Sequence, residues 1–395
     1  MHAPSLARLV QVLRNDVDKG LLPGAVALVH HRGATVLHEA VGLQRPAASG
    51  QASVPMAPDT IFRIYSMTKP VASLVAMMLM EEGRLLLGQP VAHYLPAFAG
   101  QRVHDEASGQ TAPVAREATV HDLLRHTAGL SYAWEAGTIP DAYRTARIGS
   151  RRHTNTQLAA ALGPLPLLHQ PGSRWEYSRA TDVLGAVLEA VEGEPLAAIL
   201  QRRVFGPLGM VDTGFQIPAD QLHRLAEPFA KDPLTGDAVA LIDVSAPPAF
   251  ESAGGGLVST AADYARFLQL MLGRGTATGL PGTAGPVRLA SRATIDFMTA
   301  DHLGSIPTVG DILPAGYGFG MGVGGGGGGG GGARPPPTGL TTRPGTAGHY
   351  SWSGMGGTYF FVDPAEDLFA MVLAQAPGQL RYLCELYPAL VYAAL

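Results

Sequence analysis

Apolar positions change period several times along this chain, and the changes predict its elements. Residues 24–31, Gly-Ala-Val-Ala-Leu-Val-His-His, run into Arg32-Gly33 and return as 34–42, Ala-Thr-Val-Leu-His-Glu-Ala-Val-Gly. Val-rich runs around a two-residue turn with Gly second predict a β-hairpin. Before it, the amphipathic pattern of Met1 to Gly20 predicts a surface helix. Ser66 to Glu82 repeats apolar residues at helical spacing (Val71, Leu74, Val75, Met78, Leu79) and has Ala and Met on its other faces. That predicts a helix buried almost all round, stopped at Gly83. Further helices are predicted at His121–His126, Asp182–Val191, Leu196–Val204 and Ala261–Leu272, the last capped by Ser259-Thr260 with Asp263 in its first turn. Strands return at Gly357–Val362 and Leu368–Ala374, joined by the turn-forming Asp363-Pro-Ala-Glu-Asp367, and Leu380–Ala394 predicts a closing helix.

Strands at both ends and helices between predict one sheet domain built from residues 1–88 and 249–395. A mostly helical domain, 89–248, interrupts it. Gly324 to Gly332 is an unbroken glycine run followed by Pro335-Pro-Pro337, which predicts a flexible surface loop over 324–337. No role is assigned to it.

Composition narrows the function. The formal charge is −4 and charged residues make up 15 % of the 395, against roughly 25 % in average proteins. No basic face for nucleic acid follows from that balance, so no nucleic-acid partner is expected. The longest uncharged apolar run in the first quarter, Val71 to Met80, is half a membrane span, so no membrane partner is expected. A cytoplasmic location is the expectation, because the first helix carries charges where a secretion signal would be apolar. The single cysteine, Cys384, excludes an internal disulfide and a cysteine metal site, and no metal or other cofactor is expected. Oligomeric state is not legible.

Lysine occurs only at positions 19, 69 and 231 in a chain that otherwise uses arginine. Lys69 stands three residues after Ser66, so hydroxyl and amine share one face of the first helical turn. Serine is a weak nucleophile until a neighbour takes its proton. Burial and the positive end of a helix both favour the neutral amine that could take it. The same helix start offers free backbone N–H groups to an oxyanion. Ser-x-x-Lys alone also reads as a helix cap beside a solvated lysine. No Gly-x-Ser-x-Gly and no His-Glu-x-x-His occurs, which removes two other hydrolase designs. His30 and His31 point to opposite faces of a strand, which argues against joint metal binding. His126 reads as a packed residue behind the site.

Asp59-Thr-Ile-Phe-Arg-Ile-Tyr-Ser-Met-Thr-Lys-Pro70 resembles the nucleophile segment of the serine β-lactamase and penicillin-binding-protein superfamily, in its class C-like esterase branch (the family VIII carboxylesterases). Five further segments resemble that family in the same order: 82–96, Leu123-Leu-Arg-His-Thr-Ala-Gly-Leu130, Pro171-Gly-Ser-Arg-Trp-Glu-Tyr-Ser178, Phe205-Gly-Pro-Leu-Gly-Met210 and Ala253-Gly-Gly-Gly-Leu257. The resemblance implies an α+β fold with a central antiparallel sheet, flanking helices and an inserted mostly helical domain. It implies Ser66 as nucleophile, with Lys69 and Tyr177 moving its proton. The family's Tyr-x-Asn is here Tyr177-Ser178-Arg179, so Arg179 takes a substrate-binding position and efficient β-lactam turnover is not expected. The third motif aligns with Trp352-Ser353-Gly354, which implies Trp352 and Gly354 at the substrate and the backbone N–H groups of Ser66 and Met355 as the oxyanion hole. A second register would place His349 there. An indole where lactamases carry a cation implies neutral acyl esters as substrates.

The expected activity is therefore that of a carboxylesterase cleaving short-chain esters, small molecules, through an acyl-enzyme. A β-lactamase or D,D-peptidase, an acyltransferase, and a penicillin-sensor-type module acylated once are the alternatives.

Overall fold

Arg32 and Gly33 both have positive φ, 51° and 77°, which matches the twist that a two-residue hairpin turn needs. They close a hairpin in the sheet predicted above. The computed structural model describes residues 1–47, 52–309, 312–314, 316–326 and 341–395. Its main sheet comprises β1 (Gly24–His31), β2 (Ala34–Arg45), β3 (Val54–Pro55), β4 (Tyr317–Phe319), β5 (Gly324–Gly326), β6 (Tyr350–Gly354), β7 (Thr358–Asp363) and β8 (Leu368–Ala374). Their order is β4-β5-β6-β7-β8-β1-β2-β3, and every neighbouring pair is antiparallel. The first and last strands meet at the centre: Ala25 lies opposite Ala374, and His31 opposite Leu368. The His30 ring stacks on its register partner Phe369 at 4.6 Å.

Side chains alternate across each strand, and both faces are covered. Ala25, Ala27, Val29, Phe361 and Val372 pack with Leu9 and Leu13 of α1 (Ala3–Asp18) and with Leu383 and Tyr387 of the C-terminal helix Leu380–Tyr392. On the other face, Val26, Leu28, Phe360 and Met371 join Leu74, Val75 and Met77 of α2 (Thr68–Glu81) in the larger core. All of α2 from Thr68 to Leu79 is buried, as its unbroken apolar composition predicts. A short 3₁₀ turn, Tyr65–Met67, leads into it, so the regular helix starts two residues later than the spacing suggests. Gly83 (φ 69°) ends it.

The segment between the sheet's two halves is less helical than its pattern predicts. It holds α3 (Val120–Leu124) and α4 (Ala180–Glu192), but also the antiparallel pair Arg102–Asp105 with Gln110–Pro113. No helix occurs from 225 to 257.

The flexible loop expected over 324–337 needs a correction at its start. Gly324–Gly326 is a strand bonded between β4 and β6. A Cβ at 324 would press within 3.1 Å of the Trp352 ring, so glycine there permits close packing of the kind seen where side chains crowd a backbone. The rest of the predicted loop lies outside the described residues.

Candidate active site

Between residues 61 and 70 only Ser66 reaches the surface; its neighbours on both sides are buried. Tyr65, just before it, has φ +43°, a backbone region costly for a residue with a side chain and held only where the surroundings enforce it. Two contacts do so. The Tyr65 hydroxyl accepts the Ile242 N–H at 3.0 Å, and its ring packs where a Cβ on Gly356 would come within 2.9 Å. This turn pushes the Ser66 hydroxyl outward, at the start of α2.

Lys69 is fully buried. Its Nζ lies 3.1 Å from Ser66 Oγ, 3.2 Å from the Tyr132 hydroxyl and 2.6 Å from the Gly254 carbonyl oxygen. No carboxylate pairs with it among the described residues. Gly254 is itself fixed, because its N–H donates to Asp182 Oδ1 at 2.9 Å. A side chain at 254 would press on that carboxylate. Asp182 also accepts from Ser252 Oγ (2.6 Å) and from Arg179 Nη1 (2.9 Å). A buried Arg–Asp pair thus sets the acceptor that aims the lysine.

The tyrosine hydroxyl on Lys69 belongs to Tyr132, a residue outside the motifs described above. Tyr177, the tyrosine implied by the resemblance, is in the site but differently placed. Its ring lies under Nζ, 4.5 Å from the centroid. Its hydroxyl accepts the Trp352 indole N–H at 3.3 Å, and its ring is tilted against that of Tyr132 at 5.5 Å. Hydrogen bonds thus link Ser66, Lys69 and Tyr132, and a further one links Tyr177 to Trp352, with the Tyr177 ring against Nζ joining the two sets. Burial, followed by the neighbouring Tyr177, holds the Tyr132 hydroxyl well above the usual tyrosine range, so near neutral pH it keeps its proton. Trp134, exposed, stacks on the Tyr132 ring at 3.7 Å.

Behind Tyr177 sits His126, fully buried, its backbone at φ +58° and its ring tilted against Tyr177 at 4.8 Å. Its Nδ1 accepts the Ser178 N–H at 3.2 Å. Burial, then the nearby Lys69, push its pKa well below the usual histidine value, so it stays neutral and packs.

Two expected substrate contacts, Trp352 and Gly354, need correction. Trp352 does not line the cavity of about 200 Å³ onto which Ser66 opens. It borders a separate one of about 360 Å³ beside Tyr317 and Arg343, and its indole N–H serves Tyr177. Gly354 does not line the Ser66 cavity either. It ends β6 where a Cβ would collide with the Ile64 carbonyl oxygen, so it lets the strand end close on the nucleophile turn. Arg179 does line the cavity, but its Nη1 is committed to Asp182 and its guanidinium lies over the Tyr132 ring at 5.1 Å. Met355, half exposed, lines the same cavity as Ser66 and Tyr132. His349, the alternative in that motif, is buried away from Ser66, its Nε2 2.7 Å from the Tyr317 hydroxyl.

Glu176, next to Tyr177, gives a test of this wall. Burial pushes its carboxyl up to about 7, while burial lowers the facing His169, 3.8 Å away, to about 4. The folded state therefore holds the Glu176 proton more tightly than the unfolded chain does. The stability it contributes is complete below about pH 4.5 and is lost as pH rises through 7. Glu176→Gln is expected to raise the thermal midpoint at pH 8, by roughly 2 kcal/mol of stability, and to leave it unchanged at pH 4.5. Thermal unfolding across pH measures this.

The fold is that of the β-lactamase family, with its β-lactamase/transpeptidase-like architecture. The chain belongs to that family, whose model, described as Beta-lactamase, matches residues 9–395. It is similar to Protein Rv1367c of Mycobacterium tuberculosis, 38 % identical over 92 % of this chain and 88 % of that one. It is also similar to Esterase EstB of Burkholderia gladioli, at 33 % identity over 94 % and 91 %. Among solved structures, EstCE1, described as a hydrolase with promiscuous acyltransferase activity, superposes with a TM-score of 0.75 at 27 % identity, covering 99 % of this chain and 98 % of that one. No helix among the described residues is long and apolar enough to cross a membrane.

Proposed function

We propose that the protein is a serine carboxylesterase that cleaves short-chain carboxylic esters through an acyl-enzyme at Ser66. The observation that carries this is the Ser66 hydroxyl 3.1 Å from a fully buried lysine amine, on the floor of a cavity open to small molecules. The similarity to Esterase EstB and to EstCE1 supports the reaction class.

In this reading Ser66 Oγ attacks the ester carbonyl carbon while its proton passes to Lys69 Nζ. The carbonyl π pair moves onto oxygen, and the backbone N–H groups of Ser66 and Met355 receive that charge. The intermediate collapses by breaking the bond to the alcohol oxygen. Tyr132 donates its proton to the leaving oxygen and is reprotonated from Lys69, across the 3.2 Å contact. Water then attacks the acyl-enzyme, gives its proton back along the same route and restores Ser66.

Tyr132 and Tyr177 both pack on the Lys69 amine and act as one unit here. Tyr132→Phe and Tyr177→Phe are each expected to lower kcat for a p-nitrophenyl ester by roughly 10²-fold, with KM moving much less. The double variant is expected to lose little more than either one, because members of a unit are strongly non-additive. Steady-state kinetics on the three variants decide it, and multiplicative losses would refute the shared relay.

Transfer of the acyl group to an alcohol is the second reading, favoured by the description of EstCE1. Added short alcohols would then raise product release from the acyl-enzyme and yield a new ester. β-Lactam hydrolysis is disfavoured, since Arg179 stands where the family places an amide and is tied to Asp182.

A further inference from the structure

The strongest charge run in the sequence is not used by the mechanism above. Between Asp141 and Glu176 the chain carries arginines at 144, 147, 151, 152 and 174 and no carboxylate. The structure folds part of that run over the mouth of the Ser66 cavity. Gly149 and Arg151 both line it, together with Arg179, Phe250 and Ile242.

Two contacts seat the loop. Gly149 has φ +88°, and a Cβ there would collide with the Arg179 guanidinium. Arg151 Nη2 donates to the Asp243 carbonyl oxygen at 2.6 Å, while the neighbouring Ile242 N–H is held by the Tyr65 hydroxyl. The guanidinium is thereby fixed to the segment that also holds the residue before the nucleophile. It remains exposed, and no ion pair satisfies it among the described residues. Arg144, by contrast, is committed to Asp141 and to the Ala133 and Glu135 carbonyls.

The charges facing this cavity do not cancel. Arg179 and Asp182 pair with each other, which leaves Arg151 as the charge among the lining residues that stands outside an ion pair. The Asp243 carboxylate, outside the cavity lining, bonds the Ser245 N–H at 2.9 Å and its hydroxyl at 2.7 Å and feels Arg151 without forming an ion pair with it. The remaining walls are mostly aromatic and aliphatic side chains and glycine backbone, with the Ser252 hydroxyl among them. A cavity with a nucleophile, apolar walls and one fixed, free guanidinium fits an ester that carries a carboxylate of its own.

We infer that Arg151 is a specificity-determining residue, and that the preferred substrates are esters bearing a carboxylate, such as half-esters of short dicarboxylic acids or esters of hydroxy acids. This rests on the esterase reading and refines it. The neutral-ester preference implied by the resemblance is thereby narrowed.

The test compares matched pairs at low ionic strength: p-nitrophenyl hemiglutarate against p-nitrophenyl valerate, and the butyryl ester of 3-hydroxybenzoate against that of phenol. The wild-type ratio of kcat/KM, anionic over neutral, is expected to be about 10-fold above one in at least one pair, from a charge-assisted contact. That ratio is expected to fall about 10-fold in Arg151→Gln, largely through KM, to survive in part in Arg151→Lys, and to shrink in the wild type as salt rises. Circular dichroism and thermal midpoints confirm that the variants are folded. A ratio near or below one in both pairs, or one that Arg151→Gln leaves in place, overturns the inference while neutral esters are still cleaved. Failure to cleave any of the four esters overturns the esterase reading itself.

Discussion

Ser66→Ala is expected to abolish ester hydrolysis, lowering kcat/KM by about 10⁴-fold or more, while leaving the fold intact. The size follows from chemistry and the safety from packing. Without Oγ there is no acyl-enzyme, and only cavity binding and the oxyanion donors remain. Ser66 is the one partly exposed position in a buried stretch, so removing its oxygen leaves no void in the core and orphans only one of the three contacts of Lys69. Activity against p-nitrophenyl butyrate, measured beside a thermal unfolding midpoint, checks both halves. Retained turnover in a folded variant would contradict the assignment.

Lys69→Met should cost nearly as much, about 10³-fold or more in kcat. Methionine has comparable length and no charge, so it fills the buried channel without the nitrogen. The proton of Ser66 then has no acceptor at 3.1 Å, and Tyr132 loses the contact that recharges it. The Gly254 carbonyl is left buried without its donor, so a modest loss of stability is expected as well. Kinetics show the first effect and thermal unfolding the second. A loss confined to KM would mean that Lys69 only binds substrate.

Much of the fold was legible because periodicity reports burial. The hairpin at 24–42 and the strand Leu368–Ala374 follow their apolar runs, and α2 is buried because no face of it is polar. The helical reading of 89–248 overshot where Pro-rich and Gly-rich chain stays irregular yet packs, as from 225 to 257. Three of the glycines at 324–332 became a strand, since a tertiary gap beside Trp352 overrode glycine's low strand propensity.

The site was legible in part. Ser66 and Lys69 share a helical turn, so spacing alone brings them together. Tyr132 is 63 residues from Lys69, and only the chain path after His126 and Leu130 carries it there. Its signal lay in the segment 123–130, already singled out and ending two residues earlier. Arg179 was read against the family motif, while the local cue, Asp182 at i+3, already pointed to an ion pair on one helical face. The exchange of Trp352 from substrate contact to partner of Tyr177 depends on the β6–β5 packing, which no local pattern encodes.

The central claim is covalent chemistry at one oxygen. Rapid acid quench of the enzyme with p-nitrophenyl butyrate, followed by intact-mass and peptide mass spectrometry, tests it directly. A transient adduct with the mass of the acyl group, located on the peptide holding Ser66 and absent from Ser66→Ala, is the expected result. An adduct on another residue, or undiminished turnover with no adduct on that serine, would contradict it.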